Sequence, residues 1–186
     1  MIIEKYIIDE NAPLFSLLKS VDYTDAYSCR FHTDKPLKVE EVVLAFFKSA
    51  PEWLHKLFDI RDRMVSGLGI KTVNRKERDR LLREFKVEPG QALGLFTVIQ
   101  KTRNEVIMGE NDKHLNFRVA VQLHQQESES GKSEIVFMTA VQVHNRLGRY
   151  YFMLIKPFHH LVVKVMLRNT VKYLLKKEQT KHSDQV

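Results

Sequence analysis

Polar side chains occupy every second position at the start of one predicted strand. His114, Asn116 and Arg118 alternate with apolar residues, so a strand would place all three on one face. Neighbouring strands can add further polar groups to that face, namely Glu105, Glu110, Gln142 and His144. An imidazole, a guanidinium and a carboxylate that meet there could bind an anionic or polar ligand head, or transfer a proton. The same alternation is also typical of the solvent side of a half-buried strand that has no function.

Other arrangements that could perform chemistry are incomplete. His159 and His160 are adjacent, and neighbouring side chains on a helix point about 100° apart, so the two cannot easily bind one metal ion together. Cys29 has no assignable base, and we predict a buried thiol that packs as a small apolar side chain. We therefore predict no metal, no cofactor and no catalytic residue, and we leave open whether the protein is an enzyme.

The elements that position these residues follow one order along the chain. Apolar residues that alternate predict strands over residues 23–31, 93–102, 105–110, 115–125 and 134–145. A helical period predicts helices over residues 39–48, 51–65, 74–85 and 157–176, the last of which starts at a proline. Strands in series before one long terminal helix indicate an α+β fold. In that fold a curved antiparallel sheet wraps around the C-terminal helix, and two helices are inserted after the first strand.

A sheet that wraps around a helix can enclose a cavity between the two. Apolar side chains that alternate along the strands would form one wall, and the inner side of the last helix would form the other. The predicted lining residues are Phe96, Phe117, Val119, Val121, Phe137, Val141, Val162 and Met166. His114, Arg118 or Gln142 would hold a polar ligand head only if their face turns inward. Bulky side chains of this kind could equally fill a closed core.

The composition indicates one domain. The chain has 186 residues, of which 44% are hydrophobic and 28% are charged, as is typical of a globular protein. Residues 1–20 are predicted to form a mobile N-terminal extension, and residues 178–186 a mobile polar tail.

A single cysteine excludes an internal disulfide framework and is typical of a reducing compartment. Because neither a signal peptide nor a transmembrane segment is visible, we expect a cytoplasmic protein.

The positive charge is concentrated near the C-terminus. The chain has a formal net charge of +7, and residues 149–186 hold 8 Lys and Arg against 2 acids, a balance of +6. A basic helix face could contact an anionic membrane surface weakly or attract an acidic partner, although a solvated outer face is the simpler interpretation. Nucleic-acid binding is not expected, because neither a recognisable motif nor interleaved exposed aromatic residues accompany the basic row.

Several short motifs occur in an order that resembles a known family. They are Asp-Tyr-Thr-Asp-Ala at 22–26, Pro-Glu-Trp at 51–53, Leu-Phe-Asp-Ile-Arg-Asp-Arg at 57–63, Gly-Leu-Gly-Ile-Lys-Thr at 67–72, Gly-Glu-Asn-Asp-Lys-His-Leu-Asn-Phe-Arg at 109–118 and Pro-Phe-His at 157–159. Together they resemble an uncharacterised bacterial domain of unknown function that is grouped with the START-like, or SRPBCC, helix-grip proteins. The resemblance runs from about residue 20 to residue 170. Asn116 stands where we expect Asp in the family, so a carboxylate role is not expected there.

The resemblance has implications for fold and function. It implies a strand, two helices, several antiparallel strands and a long C-terminal helix. For the wider superfamily it implies that apolar or amphipathic ligands bind in a central cavity, and that a few members act as cyclases, hydrolases or dioxygenase subunits. It supplies neither a substrate nor a catalytic residue.

Three hypotheses follow for the function. The first is non-enzymatic binding of a hydrophobic or amphipathic small molecule between the sheet and the C-terminal helix. The second is a cyclase- or hydrolase-type enzyme that uses His114, Arg118 and a carboxylate such as Glu105 or Glu110. The third is a homodimeric interaction module that docks on an anionic surface. In this third hypothesis an apolar sheet face joins the two copies, and its residues are Val136, Met138 and Ala140.

Overall fold

The computed structural model of the chain describes residues 1–57, 75–125 and 131–183, with the backbone alone for residues 75–79 and 181–183. The described strands are β1 (Ile2–Lys5), β2 (Tyr23–His32), β3 (Ala92–Leu93), β4 (Phe96–Lys101), β5 (Glu105–Asn111), β6 (Leu115–Gln125) and β7 (Lys132–Val143). The described helices are α1 (Pro13–Ser16), α2 (Val39–Lys48), α3 (described over residues 52–57), α4 (Arg75–Glu84) and α5 (Arg146–Ser183). The rest of the predicted second helix, residues 58–65, lies outside the described residues.

The strands form one antiparallel sheet in the order β1-β2-β7-β6-β5-β4-β3. The sheet is curved, and the long helix α5 packs on its concave face. The predicted α+β class, with a curved antiparallel sheet and a long C-terminal helix, is therefore confirmed. In the register of β2 and β7, Tyr23 lies opposite Val141 and His32 lies opposite Lys132.

The concave face of the sheet carries the larger hydrophobic core. Val121 and Phe137 of the sheet pack there with Val43 of α2 and Leu167 of α5, and none of them exposes more than 2% of its surface. Burial of one such side chain contributes about 1.5–3 kcal/mol to stability. Cys29 is fully buried in the same core, which confirms the prediction of a thiol that packs as an apolar side chain.

Residues 6–18 cover the opposite, convex face, and we call them the N-terminal cover. β1 pairs with β2, and the short helix α1 holds Leu14 fully buried against the sheet. Beneath this cover lie Val136, Met138 and Ala140, which are exposed by 1% or less. The prediction that these three residues form a free sheet face that could join two copies is wrong, because residues between 6 and 18 already pack on them.

Helix α5 begins at Arg146, well before the predicted start at Pro157. Asn145 provides the start signal, because its Oδ1 accepts a hydrogen bond from the Gly148 N–H at 3.0 Å, as N-cap residues do. Pro157 lies inside the helix, where it removes one backbone hydrogen bond. The helix has 38 residues and is therefore about 57 Å long.

The remaining elements lie close to their predicted positions. α2 and β6 have the predicted bounds, and β7 is displaced by two residues. The strand predicted over residues 93–102 is divided into β3 and β4 at Gly94, whose φ of 63° is readily adopted by glycine. In the described ranges, no helix combines the length and the apolar content that crossing a bilayer would require.

Candidate functional site

The polar row predicted on β6 lies on the convex face of the sheet, away from α5. Asn116 and Arg118 share this face with Gln142 of β7, as the alternation predicted. A cavity of about 460 Å³ is lined by Leu17, Lys19, Asn111, Asn116, Arg118, Gln142 and His144. The face does not turn inward, so these side chains cannot hold the head of a ligand that lies between the sheet and α5.

Arg118 is 5% exposed and is surrounded by oxygen acceptors. Its Nη1 donates hydrogen bonds to the carbonyl oxygens of Glu110 and Phe117, at 3.2 and 2.8 Å. Its Nη2 donates to the carbonyl oxygen of Leu17 at 3.2 Å and to Oδ1 of Asn111 at 2.7 Å. The guanidinium therefore links the segment after α1 to the hairpin of β5 and β6. Both of its terminal nitrogens, Nη1 and Nη2, donate hydrogen bonds within the protein.

The groups predicted for an enzyme are separated. Glu105 lies opposite Gln122, whose Nε2 donates a hydrogen bond to Glu105 Oε1 at 2.7 Å. His114 precedes the other end of β6, roughly 27 Å away at about 3.4 Å per residue. The side chain of Glu110 points to the concave face, opposite to Arg118, because it alternates in phase with the core residues of β5. The structure thus does not assemble His114, Arg118 and a carboxylate.

The predicted apolar lining does lie on the concave side. Four of its members are buried, namely Val121, Phe137, Val141 and Met166. Four are half-buried, namely Phe96, Phe117, Val119 and Val162. The ring of Phe96 lies 5.6 Å from that of Phe117 and 5.4 Å from that of Phe47, between ring centroids. We call Phe96, Phe117 and Val119 the apolar wall, since these three sheet residues keep accessible apolar surface.

A polar cluster that the sequence analysis did not identify lies beside the apolar wall, under the first half of α5. We call it the Asp25 cluster, and its members are Tyr23, Asp25, Tyr27, Thr139, His159 and His160. β2 supplies three members at every second position, so they share the concave face. β7 supplies Thr139 directly opposite Asp25, and α5 supplies the two histidines.

Asp25 is at the centre of the cluster and is 6% exposed. Its Oδ2 accepts a hydrogen bond from the Tyr23 hydroxyl at 3.0 Å and lies 3.3 Å from His160 Nδ1. Its Oδ1 lies 3.3 Å from His159 Nε2. The Tyr27 hydroxyl lies 3.0 Å from His160 Nδ1 and links the second tyrosine to the network. Both carboxylate oxygens therefore have partners, as a buried charge requires.

Burial and hydrogen bonding act in opposite directions on Asp25. Burial alone would raise the pKa of Asp25, but side-chain hydrogen bonds and the charge of the His159 imidazole outweigh it, so this pKa lies below its ordinary value. Burial, followed by the Asp25 charge, raises the pKa of Tyr23 and of Tyr27. At neutral pH the cluster therefore combines one carboxylate with two protonated phenols.

Two lysines of α5 lie at the edge of the cluster. Lys156 Nζ is 5.2 Å from the ring centroid of Tyr23, and Lys164 Nζ is 5.0 Å from that of Tyr27, within the range of cation–π contacts. The His160 side chain is 43% exposed, so the cluster can be reached from solvent. The rim of the cluster is thus basic, while its centre holds a carboxylate.

This arrangement can bind a polar group or move a proton. An imidazole beside a carboxylate can accept or donate a proton, and the phenols and imidazoles can form hydrogen bonds to a ligand. Within the described part of the chain, no group of three His, Cys, Asp or Glu residues is placed to hold a metal ion. One signal could have indicated the cluster: Tyr23, Asp25 and Tyr27 alternate on β2 just as the polar row does on β6.

A solved structure of an uncharacterised protein from Rhizobium leguminosarum is similar over 83% of this chain and 96% of that chain, with 13% sequence identity and a TM-score of 0.34. No curated protein matches the chain. A family model described as Protein of unknown function (DUF2867) matches residues 17–166, which is more than half of the chain.

Proposed function

Because the chain belongs to DUF2867, a family of unknown function, we propose a function from the geometry of its site. The protein binds a hydrophobic or amphipathic small molecule, without catalysis, between the concave face of the sheet and α5. The apolar body of the ligand lies on the apolar wall, and its polar head contacts the Asp25 cluster. We also infer a helix-grip fold of the START-like, or SRPBCC, type. The curved antiparallel sheet around the C-terminal helix supports that inference.

One observation carries the proposal: the apolar wall and the Asp25 cluster are neighbours on one face of the sheet. In the register, Asp25 lies opposite Thr139, and Thr139 lies opposite Val119. Two residues earlier on β2, Tyr23 lies opposite Val141, which in turn lies opposite Phe117 of the apolar wall. Because adjacent strands are about 4.8 Å apart, a molecule of roughly 10 Å can contact both surfaces.

The exposure of the wall supports the same proposal. Phe117 and Val119 face the core side of the sheet, yet they remain half-buried, while Val121 further along the same strand has no exposed surface. Apolar surface left accessible on a concave face is typical of ligand sites, which combine apolar walls with a few polar groups.

The Asp25 cluster favours a ligand head that carries oxygen acceptors. Lys156 and Lys164 present positive charge at the rim, and the side chain of His160 between them is 43% exposed. The carboxylate of Asp25 is 6% exposed and both of its oxygens already have partners, so we place the ligand head against the lysines and His160 rather than against Asp25. An amphipathic carboxylate is therefore a suitable first probe.

Native mass spectrometry of the purified protein and titration with dodecanoate test the proposal, with dodecanol as the matched neutral ligand. Phe117→Ala is expected to weaken binding of both ligands, because the wall contacts the shared alkyl chain. His160→Ala is expected to weaken binding of dodecanoate about tenfold and to leave dodecanol unchanged, because one hydrogen bond to a charged group is lost. His124→Ala, at an exposed histidine of β6, is the control.

Two results would contradict the proposal. Absence of saturable binding for both ligands, together with a purely ligand-free mass, would reject the site as a whole. Equal affinities in His160→Ala and His124→Ala would reject the placement of the head at the Asp25 cluster.

The contact between Asp25 and His159 favours a second candidate, an enzyme that moves a proton of the bound molecule. A positioned carboxylate can hold an imidazole in the orientation that proton transfer requires. The two candidates differ in the fate of the ligand. If a molecule that co-purifies with the protein is converted during incubation, and if His159→Gln stops the conversion without abolishing binding, the protein is an enzyme.

A further inference from the structure

The first half of α5 exposes a row of apolar side chains on the side away from the sheet. We call this row the α5 stripe, and its members are Leu147, Tyr150, Leu154, Phe158 and Leu161. They follow each other at intervals of three or four residues, which keeps them on one side of a helix. Tyr150 is 66% exposed, Leu161 is 56% exposed and Phe158 is 53% exposed. Large apolar side chains exposed in a continuous row mark interaction surfaces more often than isolated ones do.

The α5 stripe is distinct from the face of α5 that packs on the sheet. In the second half of the helix, Leu167 and Val171 have no exposed surface and complete the concave core. In the first half, His159 faces the sheet and contacts Asp25. The α5 stripe lies on the opposite side, so folding of the domain does not require it to be apolar.

Basic residues border the α5 stripe, and the helix itself carries no acid beside them. At about 100° per residue, Arg146 and Lys164 fall along one flank of the stripe, whereas Arg149 and Lys156 lie farther round the helix, toward the sheet. Residues 146–177 contain neither Asp nor Glu. An exposed apolar row beside a purely basic flank is the pattern of helices that lie in the interface of anionic membranes. Each basic residue near such a surface also attracts the anionic headgroups.

We propose that the α5 stripe docks on the surface of an anionic lipid bilayer, with the helix axis parallel to the membrane plane. The apolar side chains enter the boundary between headgroups and acyl chains, and the basic flank contacts lipid phosphates. A symmetric pairing of two copies through the stripe is less favourable. It would bring two basic flanks together, and residues 146–177 supply no acid to neutralise them. The docking does not depend on the small-molecule function.

Co-sedimentation with vesicles tests the docking. The full chain is mixed with phosphatidylcholine vesicles, or with vesicles in which a quarter of the lipid is phosphatidylglycerol, at about 0.05 M and about 0.5 M salt. Binding is expected to the anionic vesicles at low salt and to decrease at high salt. Failure to bind the anionic vesicles at low salt would overturn the proposal.

Two matched pairs of variants locate the contact. Leu154→Glu with Leu161→Glu is expected to abolish binding, whereas Ile7→Glu, at a residue that is 92% exposed on the N-terminal segment, is expected to leave it unchanged. Arg146→Gln is expected to weaken binding about fivefold, the effect of losing one basic residue beside an anionic surface. Arg103→Gln removes the same charge from an exposed turn of the sheet and is expected to have little effect.

Circular dichroism and thermal unfolding of each variant confirm that it is folded, because all these side chains are exposed. Equal binding by the Leu154→Glu, Leu161→Glu and Ile7→Glu proteins would overturn the proposal. So would light scattering that shows a dimer dissociated by the leucine substitutions, since the α5 stripe would then join two copies of the chain.

Discussion

His159 Nε2 lies 3.3 Å from Asp25 Oδ1, although 134 positions separate the two residues in the chain. The contact joins α5 to β2 on the concave face, and Asp25 binds Tyr23 and His160 as well. One carboxylate thus holds the first half of the helix against the sheet. It also orients the groups that we propose for ligand binding, so substitutions there affect both stability and binding.

Asp25→Asn is expected to destabilise the fold by about 1–3 kcal/mol at pH 7, because a buried, hydrogen-bonded carboxylate loses its charge. The pKa of Asp25 is lower in the folded protein than in the unfolded chain. The ionised form therefore stabilises the fold above the unfolded pKa of about 4, and this contribution is lost as the pH falls through the folded value. The stability difference between Asp25→Asn and the parent should thus be largest near neutrality and shrink below pH ~4.

Urea unfolding at several pH values measures this difference. Asp34→Asn, at an exposed aspartate, is the control and should show little change at any of them. A destabilisation by Asp25→Asn that stays constant from neutral to acidic pH would contradict the role assigned to the charge.

Arg118→Lys is expected to destabilise the protein nearly as much as Arg118→Met, by roughly 2–4 kcal/mol. The guanidinium reaches the carbonyl oxygens of Leu17 and Glu110 in different directions, and the ammonium of lysine cannot reproduce that fork. Urea unfolding gives the free energies. A lysine variant as stable as the parent would show that charge alone, and not the planar geometry, holds the N-terminal cover in place.

Leu14→Ala is expected to cost about 2–5 kcal/mol, because the side chain is fully buried between α1 and the convex face. Ile7→Ala, in the same segment but 92% exposed, is expected to change stability by less than about 0.5 kcal/mol. Thermal unfolding separates the two outcomes. If both variants unfold at the same temperature, the cover does not contribute to stability as its burial indicates.

Gly148→Ala is expected to destabilise the protein, although alanine at an open helical position is normally favoured over glycine by about 1 kcal/mol. The β-carbon would overlap the carbonyl oxygen of His114, so the start of α5 must move away from the sheet. We expect a loss of roughly 1–3 kcal/mol in urea unfolding. A gain in stability would mean that the helix start adjusts without cost.

Local patterns in the sequence were sufficient to predict most of the sheet. Alternation over residues 115–125 predicts β6 with its observed bounds, because one face of that strand is apolar. Pro157 predicts a helix start at that residue, because proline favours the first helical turn, but α5 starts eleven residues earlier, where Asn145 is the cap. The first twenty residues carry no clear period, so the burial of Leu14 could not be predicted from them.

The candidate site was harder to predict, for a physical reason. A period of two residues shows which side chains share a face, but not which face turns toward the helix. The polar row of β6 and the alternating residues Tyr23 and Asp25 of β2 have equivalent patterns, yet they lie on opposite sides of the sheet. Only the pairing of Asp25 with His159, which depends on the tertiary packing of α5, distinguishes them.

Cys29 is fully buried beneath α5 and α2, so the reactivity of its thiol reports on opening of the core. Burial raises the pKa of this thiol, so even the small thiolate fraction that would react with a maleimide is suppressed while the core is closed. The rate of alkylation then measures how often the core opens, and a small molecule or a vesicle that stabilises the closed state should slow that reaction without touching the sulfur.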